Sequence, residues 1–300
     1  MKKYAVSILS FIGGMGIGLA SIPIINKMNL SQQSKLEKRV VVVDKELYPS
    51  STSPLETLGL PRLENDLIKR STYSLQYNRE KRNAWWAGEY LEPSSTKPLP
   101  DSPSPKPDRS KSHFKEDPLI PNEWRSKVKE YKGTMYDRGH LVPAANHSKS
   151  QEELNETFYL SNISPQVAIG FNRGYWAGLE RFIRSLLNQF DGMHIYTGPL
   201  WLPKKDPETG YFTVSYRVLG DVVPGTSVPT HFYKIVLGTI GMERYLACFV
   251  VPNEPIDIKS PLLDFLVPLE AIERATGLEF FPNIRAGTEW KKKRLCSKVE

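Results

Sequence analysis

The side chains able to do chemistry are concentrated between residues 137 and 180. Asp137-Arg138-Gly139-His140 comes first. Phe158-Tyr159-Leu160-Ser161-Asn162-Ile163-Ser164-Pro165-Gln166 follows, and Asn172-Arg173-Gly174-Tyr175-Trp176 leads on to Glu180. Hydrolysis of a phosphodiester has three requirements. A water must lose its proton, the negative charge that develops must be neutralised, and the leaving oxygen must be stabilised. A neutral imidazole is the usual proton acceptor near neutral pH, and His140 supplies one. A divalent cation can serve the other two needs. A guanidinium grips phosphate oxygens in a fixed fork, a part open to Arg138. Arg138 and His140 are two apart, so on an extended strand they share a face. Gly139 between them leaves room for a phosphate backbone to approach. Mg²⁺ keeps most of its waters and needs few protein ligands. One amide oxygen, that of Asn172, could therefore suffice, with Glu180 holding a metal-bound water from behind. If both are helical, Asn172 and Glu180 lie just over two turns apart and close to one face.

The surrounding sequence predicts the elements that position these groups. Residues 71–77 alternate as a strand does, and 80–87 read as a tight turn into a second strand or helix, with Trp85 and Trp86 in the core. Residues 151–160 predict a short helix capped by Ser150, with Glu153 at the capping-box position. Trp176, Leu179, Phe182, Ile183, Leu186 and Leu187 recur at helical spacing over 174–189, and Asp191-Gly192 ends that helix. Strand-like runs follow at 193–198, 212–218, 232–237 and 245–251, separated by Pro/Gly turn signals. Residues 268–276 predict a helix closed by Gly277. The pattern is that of an α+β domain, chiefly an antiparallel sheet with helices packed on it.

Outside this domain the composition shifts. Residues 4–25 carry no charge, are long enough to span a bilayer as a helix, and place Gly14 and Gly18 on a small-residue face. A cleaved secretory signal ending near Leu19-Ala20-Ser21 is the rival reading; the length of the run favours an uncleaved anchor. Residues 31–60 read as a polar tether with one strand-like run, Val40-Val41-Val42-Val43. Residues 93–112 carry six prolines, at 93, 98, 100, 103, 105 and 107, and read as an inserted surface loop. The organisation expected is a membrane anchor or targeting segment at 1–30, a tether at 31–60, a catalytic domain at 61–286 and a basic, solvated tail at 287–300.

Lys and Arg total 40 against 33 Asp and Glu, a net charge of +7. That suits a polyanionic partner but is mild for a chain of 300 residues. The two cysteines, Cys248 in an apolar strand-like run and Cys296 in the tail, form no metal clip or disulfide framework.

The Asp-Arg-Gly-His signature, the Phe-Tyr-Leu-Ser-Asn block ending in Pro165-Gln166, and the block from Asn172 through Trp176 to Glu180 together resemble the DNA/RNA non-specific endonucleases of ββα-metal fold. Within that family the chain is most similar to the mitochondrial endonuclease-G-like exo/endonuclease branch. Val228-Pro229-Thr230-His231-Phe232-Tyr233-Lys234, Val251-Pro252-Asn253-Glu254 and Gly277-Leu278-Glu279-Phe280-Phe281-Pro282 point the same way, so the resemblance covers roughly residues 66–285. It implies His140 as general base, Asn172 as the direct protein ligand of Mg²⁺ (Mn²⁺ as a substitute), and Arg138 on the phosphates around the scissile bond. Glu180 would order metal waters, and Asn162 would complete the catalytic set by supporting the histidine–metal geometry. Asn146 would contact substrate or join the site's network, and His147 is read as structural.

The resemblance further implies cleavage of DNA and RNA to 5′-phosphate and 3′-hydroxyl ends, a homodimer, and anchorage to the mitochondrial inner membrane facing the intermembrane space. Cleavage within strands and cleavage from 5′ ends both fit the motifs. Two rivals are a catalytically inactive nucleic-acid-binding scaffold of the same fold, against which the intact His140, Asn172 and Glu180 argue, and a phosphoesterase for small substrates.

Overall fold

The computed structural model describes residues 66–95, 107–221, 224–285 and 292–294. The apolar run at 4–25, the tether with its valine run, residues 96–106 of the Pro-rich loop, and most of the tail lie outside the described residues. Among the described residues no helix is long and apolar enough to cross a membrane.

A seven-stranded sheet organises the domain. Its order is β1 (Asp66–Lys69), β2 (Tyr73–Asn78), β3 (Asn83–Leu91), β6 (Gly192–Leu200), β11 (His231–Ile240), β12 (Glu243–Pro252) and β13 (Lys292–Arg294). Neighbours are antiparallel except the last pair, where β13 runs parallel to β12. The basic run expected as a solvated tail thus contributes backbone hydrogen bonds to a sheet edge.

The two faces of the sheet carry separate cores, and each is closed by a helix. On one face Leu75, Ala87, Ile195, Phe232, Val236 and Phe249 meet Trp176 and then Leu179, Ile183 and Leu186 of helix α2 (Ala177–Leu186). On the other, Tyr233, Ile235, Cys248 and Val250 meet Leu269 and Ile272 of helix α3 (Leu269–Thr276), which ends at Gly277 in the left-handed region. A central strand covered on both faces reads as an apolar run rather than an alternation, and that is how residues 232–237 read. Each fully buried aliphatic side chain of α2 contributes about 1.5–3 kcal/mol. The helix is therefore held by its packing more than by its ten-residue length.

The site hairpin stands apart from this sheet. β4 (Tyr136–His140) pairs antiparallel with β5 (Ile163–Val167), Arg138 opposite Pro165 and His140 opposite Ile163. Between the two strands the chain makes an excursion that includes helix α1 (Gln151–Glu156), whose Ser150 hydroxyl accepts from the Glu153 N–H as expected. The Leu141 N–H donates to Asn162 O at 2.9 Å and closes the excursion at its base. Two asparagines, Asn83 buried and Asn253 half-buried, fasten the hairpin to the sheet. Asn83 on β3 accepts from the Ser164 hydroxyl at 2.5 Å. Asn253, just past β12, accepts from Val167 N–H and donates to the carbonyls of Pro165 and Pro229.

Several expectations change. The turn at 79–82 leads into a strand, but Ala84 and Ala87 take its core positions, and Trp85 and Trp86 are only half-buried. The run 212–218 is not one strand. It splits into β8 (Phe212–Thr213), paired with β7 (Lys204–Lys205), and β9 (Val218–Leu219), paired with β10 (Thr226–Ser227), and Tyr211, Phe212, Val214 and Tyr216 are exposed. The end of the Pro-rich loop packs after all. Asp108 caps a short turn and its N–H donates to Gln151, while Arg109 lies over the Phe158 ring.

Gly139 owes its place to a neighbour inside the protein rather than to a phosphate. A Cβ there would lie 2.1 Å from Cδ of Gln166, a side chain with no exposed surface and so no room to withdraw. Gly139→Ala is expected to cost about 1–3 kcal/mol through overpacking, measured as a fall of several degrees in thermal midpoint. An unchanged midpoint would show that Gln166 can yield.

Candidate active site

β4 presents Arg138 and His140 on one face, as their spacing predicts. Both meet Phe114, whose ring lies 4.5 Å from the Arg138 guanidinium carbon and 5.5 Å from the His140 ring. Phe158 closes on His140 edge-on at 4.8 Å. The Nε2 atom of His140 is buried with no hydrogen-bond partner among the described residues, while the residue as a whole is half-buried, so its exposure lies elsewhere than at Nε2. Burial, with the positive charge of Arg109 adding to it, pushes the imidazole down to about 3. That direction favours the neutral ring, the form a base requires. Arg138 is exposed and free to reach a phosphate.

The chain leaves β5 through a wide π-helical stretch, Ala168–Trp176, before α2 begins. Gly170 there has φ +83°, and a Cβ would meet Pro255 at 2.8 Å; this kink turns Asn172 back toward β4. Asp137 holds it there. Its carboxylate accepts from the Asn172 amide nitrogen at 2.8 Å and takes both arms of the Arg173 guanidinium at 2.7 and 2.6 Å. The Arg173 hydrogen bond first, then the Asn172 hydrogen bond, holds the Asp137 carboxyl below the usual carboxylate range against its partial burial. With Nδ2 fixed, the Asn172 amide oxygen is left as a held acceptor with no hydrogen-bond partner among the described residues. A hard divalent cation takes such an oxygen. No group of three or more His, Cys, Asp or Glu side chains gathers to hold a metal among the described residues.

Glu180 sits on the inner side of the first turn of α2 and makes no hydrogen bond to another described residue. Burial raises its carboxyl to about 7 against the pull of Lys234, Arg184 and Arg109. Arg184, one turn on, donates to the Asn146 side-chain oxygen at 3.0 Å. The Asn146 amide donates to both oxygens of Glu89, and His147 Nε2 lies 2.8 Å from the same carboxylate. Asn146 is 4% exposed. It is therefore not a substrate contact, because both ends of its amide are spent inside the protein; it belongs to the buried network. His147 is structural, as expected.

Asn162 is fully buried. It accepts from Val142 N–H and donates to the carbonyls of Val142 and Thr157, each at 3.0 Å. Its side chain cannot touch substrate, so it positions the backbone that leaves His140 rather than taking part in the reaction.

A DNA/RNA non-specific endonuclease model matches residues 51–287. The chain belongs to that family. It is similar to a nuclease of Syncephalastrum racemosum, 41% identical over 301 residues covering 98% of this chain and 91% of that protein. It is similar also to the mitochondrial nuclease of Saccharomyces cerevisiae, 43% identical over 247 residues covering 80% and 72%. A chain from the crystal structure of the EndoG/EndoGI complex superposes with a TM-score of 0.68 at 38% identity, covering 78% of this chain and 92% of that one. The fold is the ββα-metal fold, with β4, β5 and α2 as its core motif, and a divalent metal comes with it. The protein is an enzyme, a hydrolase acting on nucleic acids.

Sequence reasoning gave no role to Phe114, Phe158, Glu89, Arg184 and Lys234, although Phe158 and Lys234 lie in the blocks it singled out. Arg184 was open to detection from its i+4 spacing to Glu180, and Lys234 as the lone charge in the run Phe232-Tyr233-Lys234-Ile235-Val236-Leu237. Phe114, alone among polar neighbours, carries no signal. Asp137→Ala is expected to release the Asn172 amide and Arg173 together. It should lower activity about 10–100-fold and raise the metal concentration needed for half-maximal rate; an unchanged metal requirement would refute the clamp.

Proposed function

We propose that the protein is a Mg²⁺-dependent nuclease that hydrolyses phosphodiester bonds of DNA and RNA with little regard to sequence, leaving 5′-phosphate and 3′-hydroxyl ends. The observation that carries this reading is the clamp on Asp137, three residues before His140. It holds an unpaired amide oxygen, that of Asn172, at the start of the helix that follows the hairpin.

In this reading His140 takes the proton from the attacking water. Its low proton affinity rises when substrate phosphate approaches, since a nearby negative charge favours the imidazolium. Arg138 grips the phosphate oxygens and sets the line of attack. Asn172 would hold the cation, Mg²⁺ or Mn²⁺ in its place, and Glu180 would orient the waters around it. A bound metal would supply charge neutralisation at the phosphate and at the leaving 3′ oxygen. The names of the mitochondrial relatives and the uncharged run at 4–25 support a location at the mitochondrial inner membrane, facing the intermembrane space, with the enzyme acting as a homodimer. Action from 5′ ends is a second mode that the same site can serve.

The test is cleavage of closed plasmid and of 5′-labelled linear DNA by the full chain in Mg²⁺. Nicking of plasmid is expected, with a loss of about 10²–10⁴-fold in His140→Ala. The rate should fall steeply as salt rises, because substrate is held mainly through phosphates; a flat salt response would oppose that. DNA bound but uncut by the wild-type protein would refute the mechanism and leave a nucleic-acid-binding scaffold.

A further inference from the structure

Lys234 lies in the middle of β11, 1% exposed, on the sheet face where its neighbours two positions away are Phe232 and Val236. Its ammonium donates to Oγ1 of Thr197, its register partner on β6, at 2.5 Å and lies 4.9 Å from the Trp176 ring. Trp176, the helical residue just before α2, is one turn ahead of Glu180, so the two side chains lie on neighbouring positions of one face. The ammonium is therefore seated beneath the turn that carries Glu180. Among the charges acting on Lys234, that of Glu180 is the largest, ahead of Glu89 and Arg184.

A charge in this position has a cost. An ammonium removed from water without full pairing is unfavourable, and replacing buried ionic groups by apolar side chains of similar size is often neutral or stabilising. Phe232 and Val236 show what packing alone selects on this face. A lysine there points to work that packing does not require.

We propose that Lys234 is a positioning residue for the nuclease reaction, its buried ammonium moored on Thr197 and Trp176 so as to keep Glu180 charged and turned toward the metal-binding end of the site. The inference rests on the role given to Glu180 above. The groups that face Glu180 are Lys234 from β11, Arg184 from the next turn of α2, Glu89 from β3 and Arg109 from the segment before Phe114. Three are positive and one negative. Lys234 is the largest of the attractive charges, and burial is the larger opposing effect.

The sign follows directly. Loss of the ammonium makes ionisation of Glu180 harder, so the acid limb of the rate profile moves to higher pH. Glu180→Gln removes the Glu180 ionisation and leaves that of His140, so the part of the limb that this variant abolishes is the part that Lys234 is expected to move.

The test compares full-length wild type, Lys234→Met, Lys234→Arg, Glu180→Gln and the Lys234→Met/Glu180→Gln double variant. Two readouts are used: plasmid cleavage against pH in Mg²⁺, and thermal midpoint against pH without metal. Lys234→Met is expected to shift the acid limb up by about one pH unit, a rate loss roughly tenfold larger at pH about 6 than at pH about 8.5. Lys234→Arg should retain most of the wild-type profile.

Without metal, Glu180 holds its proton more tightly when folded than when unfolded. Its contribution to stability is therefore present at low pH and falls as pH rises toward and through about 7. That fall should be larger in Lys234→Met and absent in the double variant. A pH-independent loss in Lys234→Met, or losses in the two single variants that simply multiply in the double, would overturn the proposal.

If Lys234→Met does not fold, Thr197→Val removes only the mooring hydroxyl. A smaller shift of the acid limb in the same direction supports the proposal, and no shift opposes it. If Glu180→Gln keeps the wild-type rate, the role assigned to Glu180 fails, and the thermal series alone then decides whether the two charges are coupled.

Discussion

The Asp137 carboxylate ties together two parts of the chain that approach the site from opposite directions. It projects from β4, beside the strand residues that carry the arginine and the base, and it binds the turn that carries the metal-binding amide. An isolated asparagine side chain has two equivalent orientations and a mobile terminal amide. Here the nitrogen end is chosen by a carboxylate acceptor, so the oxygen end is chosen with it. In the proposed mechanism Asn172 would be the direct protein ligand of the cation, and the site would then depend on that choice, because no second ligand would correct a misplaced first one.

Behind this clamp lies a cluster of polar side chains. Arg184, Glu89 and His147 are joined through Asn146 and the Glu89 carboxylate, Lys234 is bonded to Thr197, and the charges of Lys234, Arg184 and Glu89 all act on Glu180. Side chains of opposite sign balance one another there, so the group costs less than its members would singly. The aromatic cover over His140 is the complementary device on the outer side. Phe114 and Phe158 keep water from Nε2 and hold the ring without a hydrogen bond. The catalytic face is thus set by one carboxylate, one pair of rings and one balanced set of interior charges.

Much of this was readable before the structure. The helix carrying Glu180 announces itself through the spacing of Leu179, Ile183 and Leu186, and the caps at Ser150 and Gly277 obey local rules that need no tertiary context. The shared face of Arg138 and His140 follows from strand geometry alone. What was not readable depends on register between distant strands. Glu89, Asn146 and Arg184 meet only because β3 and α2 are brought onto the same side of one sheet. Asn146 was therefore left open between a substrate contact and a network member, and Gly139 was taken for a phosphate seat rather than a gap for Gln166. Trp85 and Trp86 misled for a simpler reason: size suggested burial, whereas β3 reserves its inward positions for alanines packed against close neighbours.

The closed excursion between β4 and β5 bears on how this scaffold can change. Its ends are joined by the Leu141–Asn162 hydrogen bond and by the asparagine brace on Val142, so the strands feel the tie and not the contour of the chain beyond it. Lengthening a loop whose ends are already pinned costs little, about 0.6 kcal/mol for each doubling. Insertions beyond the brace can accumulate there without altering the separation of the base from the metal-binding amide. The excursion is where descendants of this chain can acquire new contacts while the reaction centre is inherited unchanged.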